Sequence, residues 1–154
     1  MINLDEEVRR KAEKYFDAGY NCAQAVALSN IEVFNGDTEG IIKFTAGFGH
    51  GMNAGCVCGA ISGGVLAIGS LLTGPDGKAN RAIKETTAEL HRRFIDEFGL
   101  TCCKGLRKKY SFLKNTRCKK ITVTTAAITL ALLQTQVTTV NGAGHCTSAL
   151  NQPG

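Results

Sequence analysis

The sequence is poor in proline, and it lacks the alternating apolar pattern of a sheet protein. Its 154 residues include only two prolines, one of them the penultimate residue. Because proline breaks helices and marks turns, this scarcity favours long helices over a loop-rich fold. Apolar residues make up 44% of the chain and charged residues 20%, which is typical of a globular protein and excludes a disordered one. The length suits one domain with a single core.

Two further absences bear on compartment and membrane. The N-terminal segment MINLDEEVRRKAEKYF is charged and lacks the apolar stretch of a secretory signal. The uncharged segments 51–75 and 121–144 are rich in glycine or in threonine and glutamine, so neither offers about twenty predominantly apolar residues for a membrane span. We therefore expect a cytoplasmic protein, in which seven cysteines bind metal or do redox chemistry more often than they form static disulfides.

Capping residues and helical periodicity predict helices along most of the chain. Asn3, Asn21 and Asp37 are candidate N-caps of the first three helices, and Thr101 and Thr116 are candidate caps of two later ones. The clearest helix has one apolar face, formed by Ile83, Thr87, Leu90, Phe94 and Phe98. Only ITVTTAAIT, residues 121–129, is rich enough in β-branched residues to suggest a strand. The sequence therefore predicts an all-α fold.

A stripe of small residues marks the centre of the predicted bundle. The helix of residues 59–72 presents Ala60, Gly63 or Gly64, and Ala67 at helical spacing, which lets another helix approach closely. We expect a compact single-domain bundle of about six or seven helices with this helix buried at its centre.

The predicted helical domain covers residues 1–137. The remaining residues, 138–154, are polar, contain glycine and show no periodicity, so we expect them to form a loosely held tail.

Cysteines recur in or next to the first turn of predicted helices. They are Cys22, Cys58, the adjacent pair Cys102 and Cys103, and Cys118. Unpaired backbone N–H groups and the helix dipole favour negative charge there, and basic neighbours do the same, so we expect lowered thiol pKa values. Thiolates attack disulfides and ligate metals, whereas a buried cysteine that only fills space needs no such position. The chain has no C-x-x-C motif, so neither a thioredoxin-type dithiol nor a zinc ribbon is indicated.

Basic residues are concentrated in one region. Eight of them and no acidic residue lie between Lys104 and Lys120, as expected of a solvated basic surface or of a docking site for an acidic partner. No RNA-binding, zinc-finger or helix-turn-helix pattern accompanies them, so we expect no nucleic-acid partner. His50 lies close to Cys58 in the glycine-rich segment AGFGHGMNAG, where it is either a donor to the thiols or an exposed residue.

A family resemblance is carried by five segments that occur in this order: YNCAQAV, GFGHGM, CGAISGG, CCKGL and RCKKI. They resemble the putative redox-active protein family named for its C_GCAxxG_C_C cysteine pattern. The likeness extends from the first helix to about residue 135. Cys58, Gly59, Ala60 and Gly63 match a CGAxxG element in register.

The resemblance implies a set of site residues and a cofactor. The four cysteines of the pattern fall on Cys22, Cys58, Cys103 and Cys118, where a C-x-x-L step selects Cys103 over its neighbour. A related cysteine-rich region of a multihaem cytochrome implies that such a quartet holds an iron–sulfur cluster. The cysteines outside the pattern are Cys56, Cys102 and Cys146.

Three hypotheses follow. In the first, the four pattern cysteines of a redox-active or metal-binding protein converge on one site, which holds an iron–sulfur cluster or zinc. In the second, the protein is a metal-free thiol–disulfide oxidoreductase in which Cys22 or Cys58 attacks and a neighbour resolves the bond. In the third, it is an interaction protein that docks a partner, such as a redox partner protein, on the basic 104–120 region. Whether the protein is an enzyme or an oligomer stays open.

Overall fold

The fold is an all-α bundle, as the sequence predicts. A computed structural model describes residues 2–109 and 114–142, and its helices are α1 (Leu4–Asp17), α2 (Cys22–Val33), α3 (Glu39–Thr45), α4 (Gly59–Leu72), α5 (Arg81–Phe98), α6 (Cys103–Lys109) and α7 (Lys114–Gly142). Within these ranges there is no strand beyond one isolated bridge between Val57 and Cys102. Asn3 and Asn21 cap α1 and α2 as predicted.

Helix α4 is the buried central helix that its small residues predict. A Cβ atom on Gly63 would lie 2.3 Å from the carbonyl oxygen of Ala23 on α2, and one on Gly64 would lie 2.6 Å from the side chain of Leu90 on α5. Both distances are far below van der Waals contact, so only glycine permits this separation of the helices. The stripe therefore fixes α4 between α2 and α5.

The suggested strand at residues 121–129 is wrong, because this segment lies in the middle of α7. The hydroxyls of Thr122, Thr125 and Thr129 donate to the carbonyl oxygens four residues earlier in the helix. Burial of the segment against the other helices outweighs the strand preference of its β-branched residues.

Helix α7 begins earlier than the sequence predicts. It begins at Lys114, so Thr116 lies inside the helix and is not its cap. The helix continues through Gly142, and residues 143–154 lie outside the described part, so the loosely held tail stays a prediction. The span Asn115–Thr138 is long and apolar enough to cross a membrane, but half of its apolar window is buried inside the bundle, as in a core helix.

A polar contact joins α1 to α2. Lys11 Nζ lies 2.9 Å from Glu32 Oε2, and the hydroxyl of Tyr15 donates to the other carboxylate oxygen. Burial raises the pKa of Glu32, but the hydrogen bonds from Tyr15 and Lys11 and the charge of Lys11 together outweigh it, so this pKa lies below its ordinary value. Ionised Glu32 therefore stabilises the packing of the first two helices.

Candidate functional site

Two backbone hydrogen bonds bring the starts of α4 and α6 together. The N–H of Cys58 donates to the carbonyl oxygen of Thr101 at 2.7 Å, and the N–H of Cys103 donates to that of Cys56 at 2.6 Å. These bonds flank the isolated bridge, which is antiparallel. Cys58 and Cys103, far apart in sequence, are thereby held at neighbouring positions.

All four cysteines of the pattern border one cavity of about 250 Å³. Cys22 is the first residue of α2, Cys58 immediately precedes α4, and Cys103 is the first residue of α6. Cys118 lies in the second turn of α7, because that helix begins earlier than predicted. Four residues in or at the start of four different helices thus border the same cavity.

The glycines of the CGAxxG element have a direct steric role at this cavity. A Cβ atom on Gly59 would lie 2.4 Å from Cys22 Sγ, and one on Gly63 would clash with the backbone of Ala23. The element therefore supplies Cys58 and, through its glycines, leaves the room in which Cys22 and its helix can approach.

A left-handed backbone segment reaches the cysteine cavity at His50. His50, Gly51, Met52 and Asn53 all have φ between 53° and 63°, a conformation that costs a non-glycine residue about 1 kcal/mol or more. The segment places the backbone N–H of His50 in hydrogen-bonding position to the Cys22 thiol. The predicted donor role of His50 is thus taken by its main chain. The sequence signals the left-handed turn only through its glycines.

The predicted lowering of the thiol pKa values is wrong. Burial raises the pKa of Cys22, and it raises that of Cys58 to about 12, with a further contribution from the neighbouring Cys22. Backbone N–H groups, from His50 to Cys22 and from Ala60 to Cys58, act in the opposite direction but are outweighed. The thiols do lie at helix starts, but the rise in pKa caused by burial is larger than the lowering that the backbone N–H groups of the helix starts provide.

Arg107 is the cation that faces the other two thiols. Burial raises the pKa values of Cys103 and Cys118, and in both cases the charge of Arg107 offsets part of the rise. All four thiols are therefore protonated at neutral pH in the absence of a bound cation. Positive charge inside the cavity would favour the loss of their protons.

Cys102 has a structural position outside the cavity. It is exposed, and its sulfur accepts a hydrogen bond from the N–H of Gly105 at 3.4 Å while the thiol donates to Gly55 O at 3.4 Å. Its sulfur therefore acts as the N-cap of α6, a role that the sequence assigns to Thr101. Cys56 is likewise exposed, and Cys146 lies outside the described residues.

The thiols surround a space and do not meet at one point. In the described part of the chain, no three His, Cys, Asp or Glu side chains are arranged to hold a metal ion. The four cysteines of the cavity are all free thiols. A tetrahedral zinc site is thus not preformed.

The described basic residues of the 104–120 region have different surroundings on α6 and on α7. Lys119 is bound to α1, 2.9 Å from Glu13 Oε1 and 3.0 Å from Asp17 Oδ2, and Arg117 stacks over the ring of Phe98. Residues 110–113 lie outside the described part. The described half on α6 and the half on α7 therefore have different surroundings.

The fold and the cavity define a class: a small helical protein in which four buried or half-buried cysteines border one cavity. A family model described as "Putative redox-active protein (C_GCAxxG_C_C)" matches residues 20–132, which include all four cavity cysteines. The chain belongs to this family. The chain has the order Cys58-Gly59-Ala60 at the position where the pattern in the family's name has Gly-Cys-Ala. No curated protein and no solved structure gives a significant match.

Proposed function

We propose that the redox centre of this protein is the four-cysteine cavity, and that its thiols hold an iron–sulfur cluster. The observation that carries the proposal is that Cys22, Cys58, Cys103 and Cys118 come from four helices and border a single cavity of about 250 Å³. Membership of the family described as redox-active supports a redox function whether or not the cavity holds a cluster.

The four cysteine ligands and the size of the cavity both fit an iron–sulfur cluster. Four cysteine thiolates are the usual ligands of iron–sulfur clusters. A single zinc ion needs all four sulfurs about 2.3 Å from one point, whereas these thiols stand at the walls of a cavity. A body of several atoms fits that arrangement better than one ion does. When bound, such a cluster supplies electron transfer at a potential set by its surroundings.

The chain's own groups prepare the cavity for negative charge. The backbone N–H groups of His50 and Ala60 are directed at Cys22 and Cys58, and Arg107 faces Cys103. Hydrogen bonds and cations next to sulfur stabilise the ligated thiolates and raise a cluster's reduction potential. Because the free thiols are protonated, ligation must release protons.

A metal-free thiol–disulfide centre is the second candidate. It is favoured by the absence, among the described residues, of a preformed group for one metal ion, and by the neighbouring positions of Cys58 and Cys103. In this reaction two thiols lose two electrons and two protons to a disulfide substrate and form an S–S bond, and the substrate is released as two thiols. Cys58, with a pKa near 12, is a poor attacking group, so the predicted attack by this residue is disfavoured.

Anaerobic purification followed by iron and acid-labile sulfide analysis and an optical spectrum tests the proposal. We expect stoichiometric iron and sulfide in the wild type, and loss of both in Cys22→Ser and Cys118→Ser. Cys56→Ser, a replacement of an exposed cysteine on the same side of the molecule, is the matched control and should retain them. A reconstituted wild type that binds no iron, but in which two cavity thiols become unreactive to alkylation after mild oxidation, would replace the cluster with the second candidate.

A further inference from the structure

A second concavity of about 480 Å³ adjoins the cysteine cavity. The two spaces share three lining residues, His50, Cys103 and Arg107. The outer one, which we call the basic groove, lies between the left-handed segment and α6, and its other lining residues are Asn53, Ala54, Gly55, Lys104 and Lys108. A molecule in the basic groove would therefore lie against the thiol of Cys103.

The basic groove carries positive charge without a compensating carboxylate. Lys104, Arg107 and Lys108 are three and four residues apart, so they share one face of α6. No acidic residue lines the groove. In the described part of the chain none of these three cations forms a salt bridge, whereas Lys119 of the same basic region is held by Glu13 and Asp17.

We propose that the basic groove binds a small molecule that carries two or more carboxylate or phosphate groups. Three cations around one concavity favour a ligand of several negative charges, because their mutual repulsion is relieved only when the charge is matched. The volume lies in the range of small-molecule sites. This concave shape favours a small ligand over the flatter surface of an acidic partner protein.

The lining residues that the two spaces share would place a ligand in the basic groove next to the proposed redox centre. Arg107 lines both the basic groove and the cavity that Cys103 and Cys118 border, so a bound anion and these two thiols would share one cation. A bound anion covers the approach to Cys103 from the groove. Anion binding does not depend on the cluster, so its test is separate from that of the proposed function.

Titration calorimetry at low ionic strength, with pyrophosphate and citrate as separate probes, tests the proposal. We expect saturable binding of one equivalent, and the stronger probe distinguishes phosphate from carboxylate recognition. The double variant Lys104→Gln/Lys108→Gln should bind at least tenfold more weakly. These residues are exposed and border the groove but not the cysteine cavity, so iron content and thiol behaviour should not change.

The matched control removes two lysines at the other end of the central helix. Lys78 lies in the loop that follows α4 and Lys84 in the first turn of α5, and both are exposed. Helix α4, with 14 residues, spans about 20 Å between Cys58 and the start of that loop. Lys78→Gln/Lys84→Gln should bind both probes like the wild type. Equal weakening in the two double variants would show only a general charge effect and overturn the proposal, as would the absence of saturable binding.

A second readout locates the ligand. In protein that carries no cluster, pyrophosphate at saturation should slow alkylation of Cys103 by neutral iodoacetamide at least threefold, while the rate at exposed Cys56 stays the same. Binding without protection of Cys103 would place the anion elsewhere and contradict the proposed site.

Discussion

The N–H of Cys103 and the carbonyl oxygen of Cys56 form a 2.6 Å hydrogen bond that joins the glycine-rich loop to α6. Gly51 packs directly against this junction. A Cβ atom on Gly51 would lie 2.6 Å from the nitrogen of Cys56 and 2.8 Å from Cβ of Cys103. Position 51 therefore controls how closely the two segments that carry the site can approach.

Gly51→Ala should lower the free energy of unfolding by about 2–4 kcal/mol, from left-handed strain and from the clash. Gly77→Ala is a matched control, since Gly77 has a similar φ of 69° but no heavy atom within 4 Å of the added Cβ. It should cost only about 1 kcal/mol, from strain. Chemical denaturation of both variants checks the difference, and equal losses would mean that position 51 makes no special contact.

Gly63→Ala should destabilise the contact between α2 and α4 by about 1–3 kcal/mol, because the new methyl group meets the rigid backbone of Ala23. Gly69→Ala on the same helix meets nothing within 4 Å and should instead stabilise by about 0.5–1 kcal/mol through helix propensity. Urea midpoints of the two variants should move in opposite directions. A shift in the same direction for both would contradict the close packing of the two helices.

Gly59→Ala should affect both the site and the fold. Its methyl group would lie 2.4 Å from Cys22 Sγ, a side-chain atom that can rotate away, and 2.8 Å from the backbone carbonyl oxygen of Phe48, which cannot. We expect a cost of about 1–3 kcal/mol in stability. Iron content or the alkylation rate of Cys22 should change at least severalfold. Unchanged site behaviour in a folded variant would show that the Cys22 rotamer is not constrained by Gly59.

Separate replacement of Cys102 and Cys103 distinguishes the residue that caps α6 from the residue that borders the cavity. Cys102→Ser should keep both stability and redox or metal-binding behaviour, since serine is a good N-cap, and Cys102→Ala should cost about 1 kcal/mol. Cys103→Ser should lose the site's behaviour, because Cys103 borders the cavity. The comparison uses iron analysis and melting temperatures, and the reverse pattern would assign the third pattern cysteine to position 102.

Acid should weaken the contact between α1 and α2. The folded-state pKa of Glu32 is lowered, so its contribution to stability is present above its unfolded pKa and is lost as pH falls through the folded value. The loss of stability between pH 7 and pH 3 should therefore be smaller in Glu32→Gln than in the wild type. Urea unfolding at the two pH values measures it, and an equal or larger loss in the variant would exclude this role for Glu32.

Local chemistry made much of the architecture predictable. Asn3 and Asn21 cap their helices through side-chain hydrogen bonds within the same turn, which the sequence shows directly. The small residues of α4 revealed its central position because close helix packing requires them locally. The helical state of residues 121–129 in α7 could not be predicted locally, because their β-branched side chains favour a strand and only burial against other helices outweighs that preference.

The sequence by itself determined the helical class, the central helix, and which cysteines stand at or near helix starts, because these follow from neighbours along the chain. Only the tertiary structure decided that burial raises the thiol pKa values, that Cys102 caps α6, and that the basic region is divided between a groove and salt bridges. Desolvation and charge pairing depend on atoms brought from distant positions. A helix N-terminus predicts one contribution to a thiol pKa, which lowers it, and the fold determines whether burial outweighs that contribution.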